Sequence, residues 1–305
     1  MKTFIITVDT EGDNLWNWKP GELITTENTN YIPRFQALCE KYGFKPVYLT
    51  NYEMAMDDRW VTYSRKKAQE GKCEVGMHLH AWNTPPGYEL VNHFGGNPYI
   101  TEYPAEVIDR KVATMIELLQ QQYEMPILSH RSGRWATNEV YFDALARYGI
   151  QIDCSVTPEL DLSGISGCSQ NCGNDYRKEP KGVYKIHPQI TEVPMTTRRI
   201  RHCREGSVKH RIRTLIKGDN LWLRPIRHSI EPLKILTERV VAERGNNYLE
   251  FMIHSSELMP SGSIFFKDAE SIETLYRVMD EYFAYVAELG YNGKTLREFA
   301  AGQEK

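Results

Sequence analysis

The chain has 305 residues, of which 41% are hydrophobic and 25% charged, and its formal net charge is -3 at pH 7. This composition is typical of a globular protein, and the length suits one large α/β domain or two small ones. The small net charge gives no global reason to expect binding to nucleic acid or to a membrane.

The sequence gives no indication of export or of a membrane anchor. The first residues run directly into a strand, without the apolar stretch and cleavage site of a secretory signal, and no apolar run is long enough to span a bilayer. We therefore expect a cytoplasmic protein. The closest pair among the six cysteines, Cys168 and Cys172, could be half a zinc site, a disulfide or two ordinary loop residues.

Strands and helices alternate along the first half of the chain. Phe4 to Val8 has the β-branched and aromatic residues of a buried strand, and the acids Asp9 and Glu11 follow it. Helical spacing predicts a helix at about 31–42, then a strand at 46–50, a helix ending near Gly71 and a strand from Cys73 to His78. This order predicts a parallel α/β sheet or barrel, in which polar residues at the carboxyl ends of strands meet at one edge.

The third strand leads into His78-Leu79-His80-Ala81-Trp82. Side chains alternate along an extended chain, so His78, His80 and Trp82 should point to one side and Met77, Leu79 and Ala81 to the other. Two converging imidazoles beside an indole indicate a metal site next to a ring-binding platform. The alternative is a pair of surface histidines before a turn.

Later strands also end in polar residues. We predict a helix at 105–122, a strand at 126–129 that delivers His130, Arg131, Arg134 and Trp135, a helix at 138–148 and a strand at 150–154 containing Asp153. Further on, a short strand at 190–193, a helix at 230–243, a strand at 248–253 that delivers His254, and a helix at 268–289 are expected.

A basic run lies between these last elements, in the segment from about 196 to 228. Its cations are Arg198, Arg199, Arg201, Arg204, Lys209, Arg211, Arg213, Lys217 and Arg224. We expect a loop or lid inserted into a single catalytic domain of residues 1–305. Such a run is commonly a solvated face; it could also bind phosphates or acidic sugars, or nucleic acid through residues 198–224.

The polar motifs at the strand ends, taken in chain order, resemble those of the polysaccharide deacetylase (NodB-homology, carbohydrate esterase family 4) family. The matching segments are Asp9 to Glu11, Glu74 to His78, His130 to Trp135, Asp153 to Ser155 and Phe251 to His254, so the resemblance covers about residues 3–260. It implies a distorted, seven-stranded (β/α) barrel that removes acetyl groups from sugars with a divalent metal, most often zinc.

The resemblance also implies residue roles. Asp9 matches the catalytic base, Arg131 the arginine that orients it, and His254 the general acid. His78 matches the first metal histidine, and Glu11 would take the place of the family's metal-binding aspartate, with one residue inserted between the two acids. The family has its second metal histidine four residues after the first, where this chain has Trp82; His80, which faces the same way as His78, is the expected substitute. Trp82, Asn83, Arg134 and Trp135 would contact the sugar.

The leading hypothesis is therefore a metal-dependent hydrolase that removes an N-acyl group from an amino sugar or oligosaccharide in surface-polysaccharide (lipopolysaccharide) biosynthesis. The basic run would suit a substrate linked to a diphosphate. Deformylation, or hydrolysis of another small amide, is chemically close. A catalytically silent glycan-binding protein is the alternative if Trp82 abolishes metal binding.

Overall fold

A computed structural model describes residues 2–15, 18–19, 21–201, 207–226, 228–243 and 245–303. For residues 209–211 the description covers the backbone alone. Arg204 of the basic run lies outside the described residues.

Strands and helices alternate as expected. The strands are β1 (Thr3–Thr10), β2 (Pro46–Thr50), β3 (Glu74–Leu79), β4 (Ser129–Ser132), β5 (Ile152–Asp153), β6 (Tyr184–His187), β7 (Ile190–Glu192), β8 (Thr197–Ile200), β9 (Asp219–Trp222), β10 (Tyr248–His254) and β11 (Asn292–Gly293). The α-helices are α1 (Ile32–Lys41), α2 (Tyr52–Ala55), α3 (Asp58–Gln69), α4 (Ala105–Tyr123), α5 (Glu139–Arg147), α6 (Val208–Lys217), α7 (Glu231–Val241), α8 (Ala269–Glu288) and α9 (Leu296–Ala300). The helices predicted at 31–42, 105–122, 138–148, 230–243 and 268–289 are confirmed.

Local sequence explains where the helices begin and end. Asn138 caps α5 by accepting a hydrogen bond from the backbone N–H of Tyr141, and Asp268 caps α8 in the same way through Ser271. The turn after α1 includes Gly43, whose φ of +70° is easily reached by glycine. These residues fix the starts of α5 and α8 and the end of α1.

One large sheet runs in the order β10-β1-β2-β3-β4-β5-β7-β6, with β11 also paired to β1. All neighbours from β10 to β7 are parallel, and only β6 pairs antiparallel, with β7. The carboxyl ends of the parallel strands therefore lie along one edge, as the alternation of strands and helices predicts.

The sheet is curled. Ile5 and Val47 of β1 and β2 share a buried cluster with Ile152 of β5, although β3 and β4 lie between those strands in the sheet. Among the described residues β10 and β6, the two ends of the order, do not pair. The mixed α/β fold with a curled sheet is thus present, whereas the closed, seven-stranded barrel is not confirmed.

Two larger clusters pack the helices on the outside of this curl. One joins α1, α7 and α8 to β1 and β10, and the other joins α4 and α5 to β3. Met77 and Leu79 of β3 lie in the second cluster, which confirms that they point away from His78. No helix in the described part of the chain has both the length and the apolar run that crossing a bilayer requires.

Two predictions need correction. The fourth strand is β4 at Ser129–Ser132, not 126–129, so His130 and Arg131 lie within the strand rather than after it. The basic run is partly ordered structure: β8 and β9 form an antiparallel hairpin that carries α6 between its strands. At its two ends, Thr196 accepts a hydrogen bond from the backbone of Glu250, and Leu223 accepts one from that of Met252.

Candidate active site

Polar residues from four strands meet at the carboxyl edge of the sheet. Asp9 of β1 is paired in register with His254 of β10, and His78 of β3 with Arg131 of β4. A cavity of about 300 Å³ opens at this edge. Its lining is Asp9, Glu11, Leu15, His78, His80, Trp82, Asn97, Arg134, Trp135 and His254.

Three buried side chains in this cavity form a potential metal-binding cluster. Glu11, His78 and His80 offer one ligand atom each, all within 4.8 Å of one another. The same carboxylate oxygen of Glu11 lies 3.5 Å from Nε2 of His78 and 3.2 Å from Nε2 of His80. The predicted set of an acid and two imidazoles is therefore brought together.

The surroundings hold these ligands in suitable orientations. Nδ1 of His78 is 3.0 Å from the backbone carbonyl of Arg131, which favours the tautomer with its lone pair on Nε2, facing Glu11. The backbone of Glu11 is held by Ser255 and Asn28. His80 stacks on the indole of Trp82, with ring centroids 4.4 Å apart.

Burial and neighbouring charges set the protonation of the cluster. Burial alone would raise the pKa of Glu11, but His254, His78 and His80 outweigh it and hold that pKa well below its usual range. Burial lowers the pKa of His80, and the nearby His78 lowers it further. For His78, the carboxylates of Asp9 and Glu11 outweigh burial and raise the pKa. At neutral pH an ionised Glu11 therefore faces a neutral His80, whereas the raised pKa of His78 favours its protonated form. Since a metal binds only neutral imidazole, a cation at this cluster would displace the proton of His78.

Asp9 is held by a buried arginine. The guanidinium of Arg131 donates to Asp9 at 2.7 Å and also to Glu250 and to the hydroxyl of Thr7. Burial would raise the pKa of Asp9, but Arg131, His78 and His254 together outweigh it, and the pKa falls below its ordinary value. For Glu250, burial dominates and raises the pKa to about 7. Asp9 is therefore ionised at neutral pH and fixed in orientation.

His254 lies on the other side of the cavity. Its Nε2 is 3.8 Å from Asp9 and 3.9 Å from Glu11, and its Nδ1 is 3.0 Å from the guanidinium of Arg224. Arg224 also binds the buried carboxylate of Glu257, at 3.0 Å. The imidazole is thus positioned from behind, with Nε2 toward the cavity.

The residues expected to contact a sugar are distributed unevenly. Trp82 and Trp135 line the cavity, whereas Asn83 does not and instead donates to Glu53 at 2.7 Å. Arg134 lines the cavity, but its guanidinium donates to the backbone carbonyls of Asn97 and Ser166. In the structure Arg134 therefore joins two loops at the mouth of the cavity.

Asp153 is likewise placed away from the cavity. Its carboxylate binds Nδ1 of the buried His130 at 2.6 Å, and Nε2 of His130 contacts the hydroxyl of Tyr141. The carboxylate also accepts from Ser155, whose hydroxyl in turn accepts the backbone N–H of Ser132. This network supports β4, the strand that carries Arg131.

The basic run contains both structural and exposed cations. Arg198 is buried and binds Glu243 at 2.7 Å, and Arg199 donates to the last carbonyl of α6, that of Lys217. Arg201, Arg213 and Lys217 are exposed. Cys168 and Cys172 are free thiols.

Sequence reasoning missed several residues that support the site. Glu250 is four residues before His254 on β10, and so on the same face of that strand. Glu257 lies three residues after His254, and Arg224 belongs to the basic run. The four-residue separation of Glu250 and His254 on β10 could have predicted that both side chains lie on one face of the strand. No local pattern around Arg224 predicts its contact with His254.

Comparison with known proteins describes the fold. No family model and no curated protein matches this sequence. Similar solved structures include a CE4 domain of a xylanase from the hindgut metagenome of Trinervitermes trinervoides, with 10% identity, 99% of this chain and 91% of that one covered and a TM-score of 0.49. A CE4 family pseudoenzyme from Bacillus anthracis has 10% identity, coverages of 97% and 64% and a TM-score of 0.45.

A third similar structure is a GH57 branching enzyme from Thermococcus kodakaraensis, with 11% identity, coverages of 98% and 71% and a TM-score of 0.56. Structures of the family that the motifs resemble are thus among those similar to this chain. The likeness to the branching enzyme, with its TM-score of 0.56, shows a similar fold alone. Because one fold hosts many reactions, the chemistry depends on the residues of the site.

Proposed function

We propose that this protein is a metal-dependent hydrolase that removes an N-acyl group from an amino sugar, as a divergent member of the polysaccharide deacetylase family acting through a single catalytic domain. One observation carries the proposal: Glu11, His78 and His80 converge at the carboxyl edge of the sheet, with Asp9 and His254 beside them. A deacetylase needs these three functions in one cavity, namely a cation site, a base and an acid.

The donor set fits a divalent cation, and zinc is the ion we propose. One carboxylate and two imidazoles are a usual set for catalytic zinc, and three protein ligands leave a position for water or substrate. The His78 tautomer presents Nε2 to the cluster. Nδ1 of His80 is buried without a hydrogen-bond partner in the described part of the chain. Each ring therefore has a nitrogen that can bind a cation. Such an ion would polarise the acyl carbonyl and lower the pKa of a water molecule.

Asp9 is the proposed general base. Its pKa lies below the ordinary value, so at neutral pH the carboxylate is free to accept a proton from the attacking water. Arg131 fixes one carboxylate oxygen, and the other faces His254 across the cavity. The arginine thereby orients the base without contacting the substrate itself.

His254 is the proposed general acid. Once water has attacked, the C–N bond of the tetrahedral intermediate breaks and the amine leaves with a proton from Nε2 of His254. The ring cannot rotate freely, because Arg224 and Glu257 hold its Nδ1 side. Base and acid therefore approach the reacting carbon from different strands, β1 and β10.

Aromatic side chains make a sugar the best substrate for this cavity. Trp82 and Trp135 both line it, and indole faces pack well on the apolar face of a pyranose ring. Nε1 of Trp82 is buried and has no hydrogen-bond partner among the described residues, so it could donate to a sugar hydroxyl. A diphosphate link to the sugar, a role in surface-polysaccharide synthesis and a cytoplasmic location complete the proposal.

The test is amine release from a panel of N-acetylated and N-formylated amino sugars, measured with the purified protein as isolated, after chelation and after return of Zn²⁺. We expect release that is lost with chelator and restored by metal. Asp9→Asn should lower kcat by about 10² to 10⁴ while zinc remains bound, because the amide cannot accept the proton. Comparison of the two acyl groups distinguishes deacetylation from deformylation.

The alternative, a catalytically silent glycan-binding protein, gives a different result. It would bind the sugars without releasing amine, and the purified protein would contain no stoichiometric divalent metal. That combination would contradict the proposed enzyme. Asp143→Asn is a suitable control, since this carboxylate pairs with His187 at β6, away from the cavity.

A further inference from the structure

Helix α6 presents an exposed apolar stripe. Val208, Ile212, Leu215 and Ile216 are 73%, 53%, 57% and 68% exposed. Their spacing of four, three and one residues places them on one face of the helix. We call these four residues the α6 stripe. Single exposed apolar residues are ordinary, but four on one face of a ten-residue helix indicate a surface that contacts something apolar.

The opposite face of α6 is the one that packs on the protein. Thr214 is buried and donates to Asp219 at 3.1 Å, and Arg199 of β8 donates to the carbonyl of Lys217 at 3.0 Å. These contacts attach the helix to the β8–β9 hairpin. The packing of the helix on the hairpin therefore directs the α6 stripe outward.

The charge of α6 identifies the kind of surface that it fits. Its sequence contains the cations Lys209, Arg211, Arg213 and Lys217 and no acid, in a chain whose net charge is -3. An amphipathic helix with an apolar stripe and only cationic charges is typical of binding at the interface of an anionic membrane. Two copies of this helix would repel one another, and nucleic acid offers nothing to an apolar stripe.

Other exposed apolar residues lie in loops that follow strands of the large sheet. Leu23 follows β1, Val91 and Phe94 follow β3, Ile165 follows β5, and Ile264 follows β10, all in loops after the carboxyl ends of strands. We call these five residues the rim residues. Loops after the carboxyl ends of parallel strands emerge at the edge of the sheet where the candidate active site opens, so the rim residues belong to loops that begin on the cavity side.

The α6 stripe is also close to the cavity along the chain. Asp219 lies two residues after the end of α6, and Trp222, three residues later, packs on Trp135 of the cavity with ring centroids 5.3 Å apart. Three residues of strand span about 10 Å. Arg224, two residues further on, contacts His254.

We infer that the α6 stripe and the rim residues dock this protein on an anionic lipid bilayer, with the cavity facing the membrane. Apolar side chains enter the headgroup region while the cations of α6 pair with lipid phosphates. This inference rests on the function proposed above and specifies its substrate. The substrate is an amino sugar carried on a membrane lipid, whose head group enters the cavity at the bilayer surface.

The experiment is flotation of the full-length protein with vesicles of phosphatidylcholine alone or with 30% phosphatidylglycerol. We expect binding to the anionic vesicles, weakened by salt because cations contribute. The triple variant Ile212→Ser, Leu215→Ser, Ile216→Ser should lower the partition coefficient at least about tenfold, since about 0.8 kcal/mol is lost for each buried CH₂ removed. All three side chains are exposed, so the variant should retain the circular dichroism spectrum.

A matched control is Val241→Ser, at the end of α7 and so toward the other edge of the sheet. It should bind vesicles like the wild type. Absence of binding to anionic vesicles, equal binding by the triple variant, or a dimer in size-exclusion chromatography that the triple variant loses would overturn the inference. Vesicle binding requires no turnover, so its failure is distinguishable from failure of the proposed activity.

Discussion

At the scale of single residues, the site depends on how β3 ends. The strand stops at Leu79, yet the alternation of side chains continues far enough to bring the rings of His78, His80 and Trp82 into contact, at 4.6 Å and 4.4 Å between successive centroids. Trp82 therefore packs on a potential ligand. The imidazole that faces Glu11 is that of His80, with Nε2 at 3.2 Å, and the indole of Trp82 packs behind it.

The role of His254 gives a prediction at this scale. His254→Ala should lower kcat by about 10² to 10⁴, because the departing amine loses its proton donor, while zinc affinity is retained. The reason is geometric: the ligand cluster consists of Glu11, His78 and His80, and Nε2 of His254 lies 3.9 Å from Glu11 on the far side of the cavity. Steady-state kinetics and zinc titration by calorimetry measure the two effects.

A control for this variant is His187→Ala, a histidine on β6 that pairs with Asp143. It should change neither kcat nor zinc binding. If His254→Ala instead lost the metal, His254 would be a ligand and the assignment of acid and ligand would be wrong.

The site residues that could be predicted from the sequence are those whose position depends on a local pattern. Asp9, Glu11, His78, His80 and His254 stand at or just after strand ends, and strand ends meet at one edge of a parallel sheet. Arg134 and Asn83 have the same sequence context, but their hydrogen-bond partners lie in loops or on α2, far away in the chain. Such partners depend on tertiary packing and leave no periodic pattern.

At the scale of elements, one carboxylate links two segments that deliver ligands. Glu53 of α2 accepts the backbone N–H of Gly12, next to Glu11, and the side-chain amide of Asn83, three residues after His80. It also accepts from Asn51. The short helix after β2 thus holds the turn after β1 and the loop after β3 together.

This link predicts a pH dependence of stability. Burial raises the pKa of Glu53 to about 7 from an ordinary value of 4.5. The folded protein therefore keeps a proton that the unfolded chain has lost, so stability falls as pH rises from 4.5 to 7 and levels off above it. At about 1.4 kcal/mol for each pKa unit, Glu53 removes up to about 3 kcal/mol across that window.

Glu53→Gln should abolish this contribution. Glutamine is neutral at all these pH values, and Asn83 can supply its carbonyl oxygen, which has no partner among the described residues, to the new amide donor. Urea unfolding at pH 5 and pH 8 measures the difference in the free energy of unfolding. We expect the wild type to lose more than the variant between the two pH values; equal losses would contradict the raised pKa.

Element boundaries show what sequence patterns can and cannot predict. Helices α1, α4 and α8 have amphipathic patterns, and α8 also has a capping residue, Asp268; the predicted bounds of all three agree closely with the structure. For β4, the apolar run Ile127-Leu128 indicated a strand that ended too early, because the strand itself, Ser-His-Arg-Ser, is polar and buried. Its polar side chains are paired with others distant in the chain, such as Asp153 and Asp9.

At the scale of the whole molecule, the alternation of strands and helices predicted the parallel sheet, but closure was not readable from sequence. Closure depends on the twist of the sheet and on what fills the space beside β10, which here includes the ends of the β8–β9 hairpin. That hairpin comes from the basic run, where cations such as Arg198 turned out to be buried and paired. Composition alone favoured a solvated segment.

The position of the ligands across the sheet gives the last prediction. Glu11 follows β1 whereas His78 and His80 come from β3, with β2 between these strands. The three donors are close only in the folded protein, so a metal that binds them stabilises the whole fold. Free zinc at 100 times its dissociation constant should add about 2.7 kcal/mol and raise Tm by about 5 °C.

Thermal unfolding monitored by circular dichroism, with the protein first stripped by chelator and then titrated with zinc, measures this shift. His80→Ala should lose most of it, because two protein donors bind zinc far more weakly than three. His187→Ala, which removes a histidine from β6 instead, should show the full shift. An equal shift in both variants would place zinc elsewhere, and no shift in the wild type would mean that Glu11, His78 and His80 do not hold a metal.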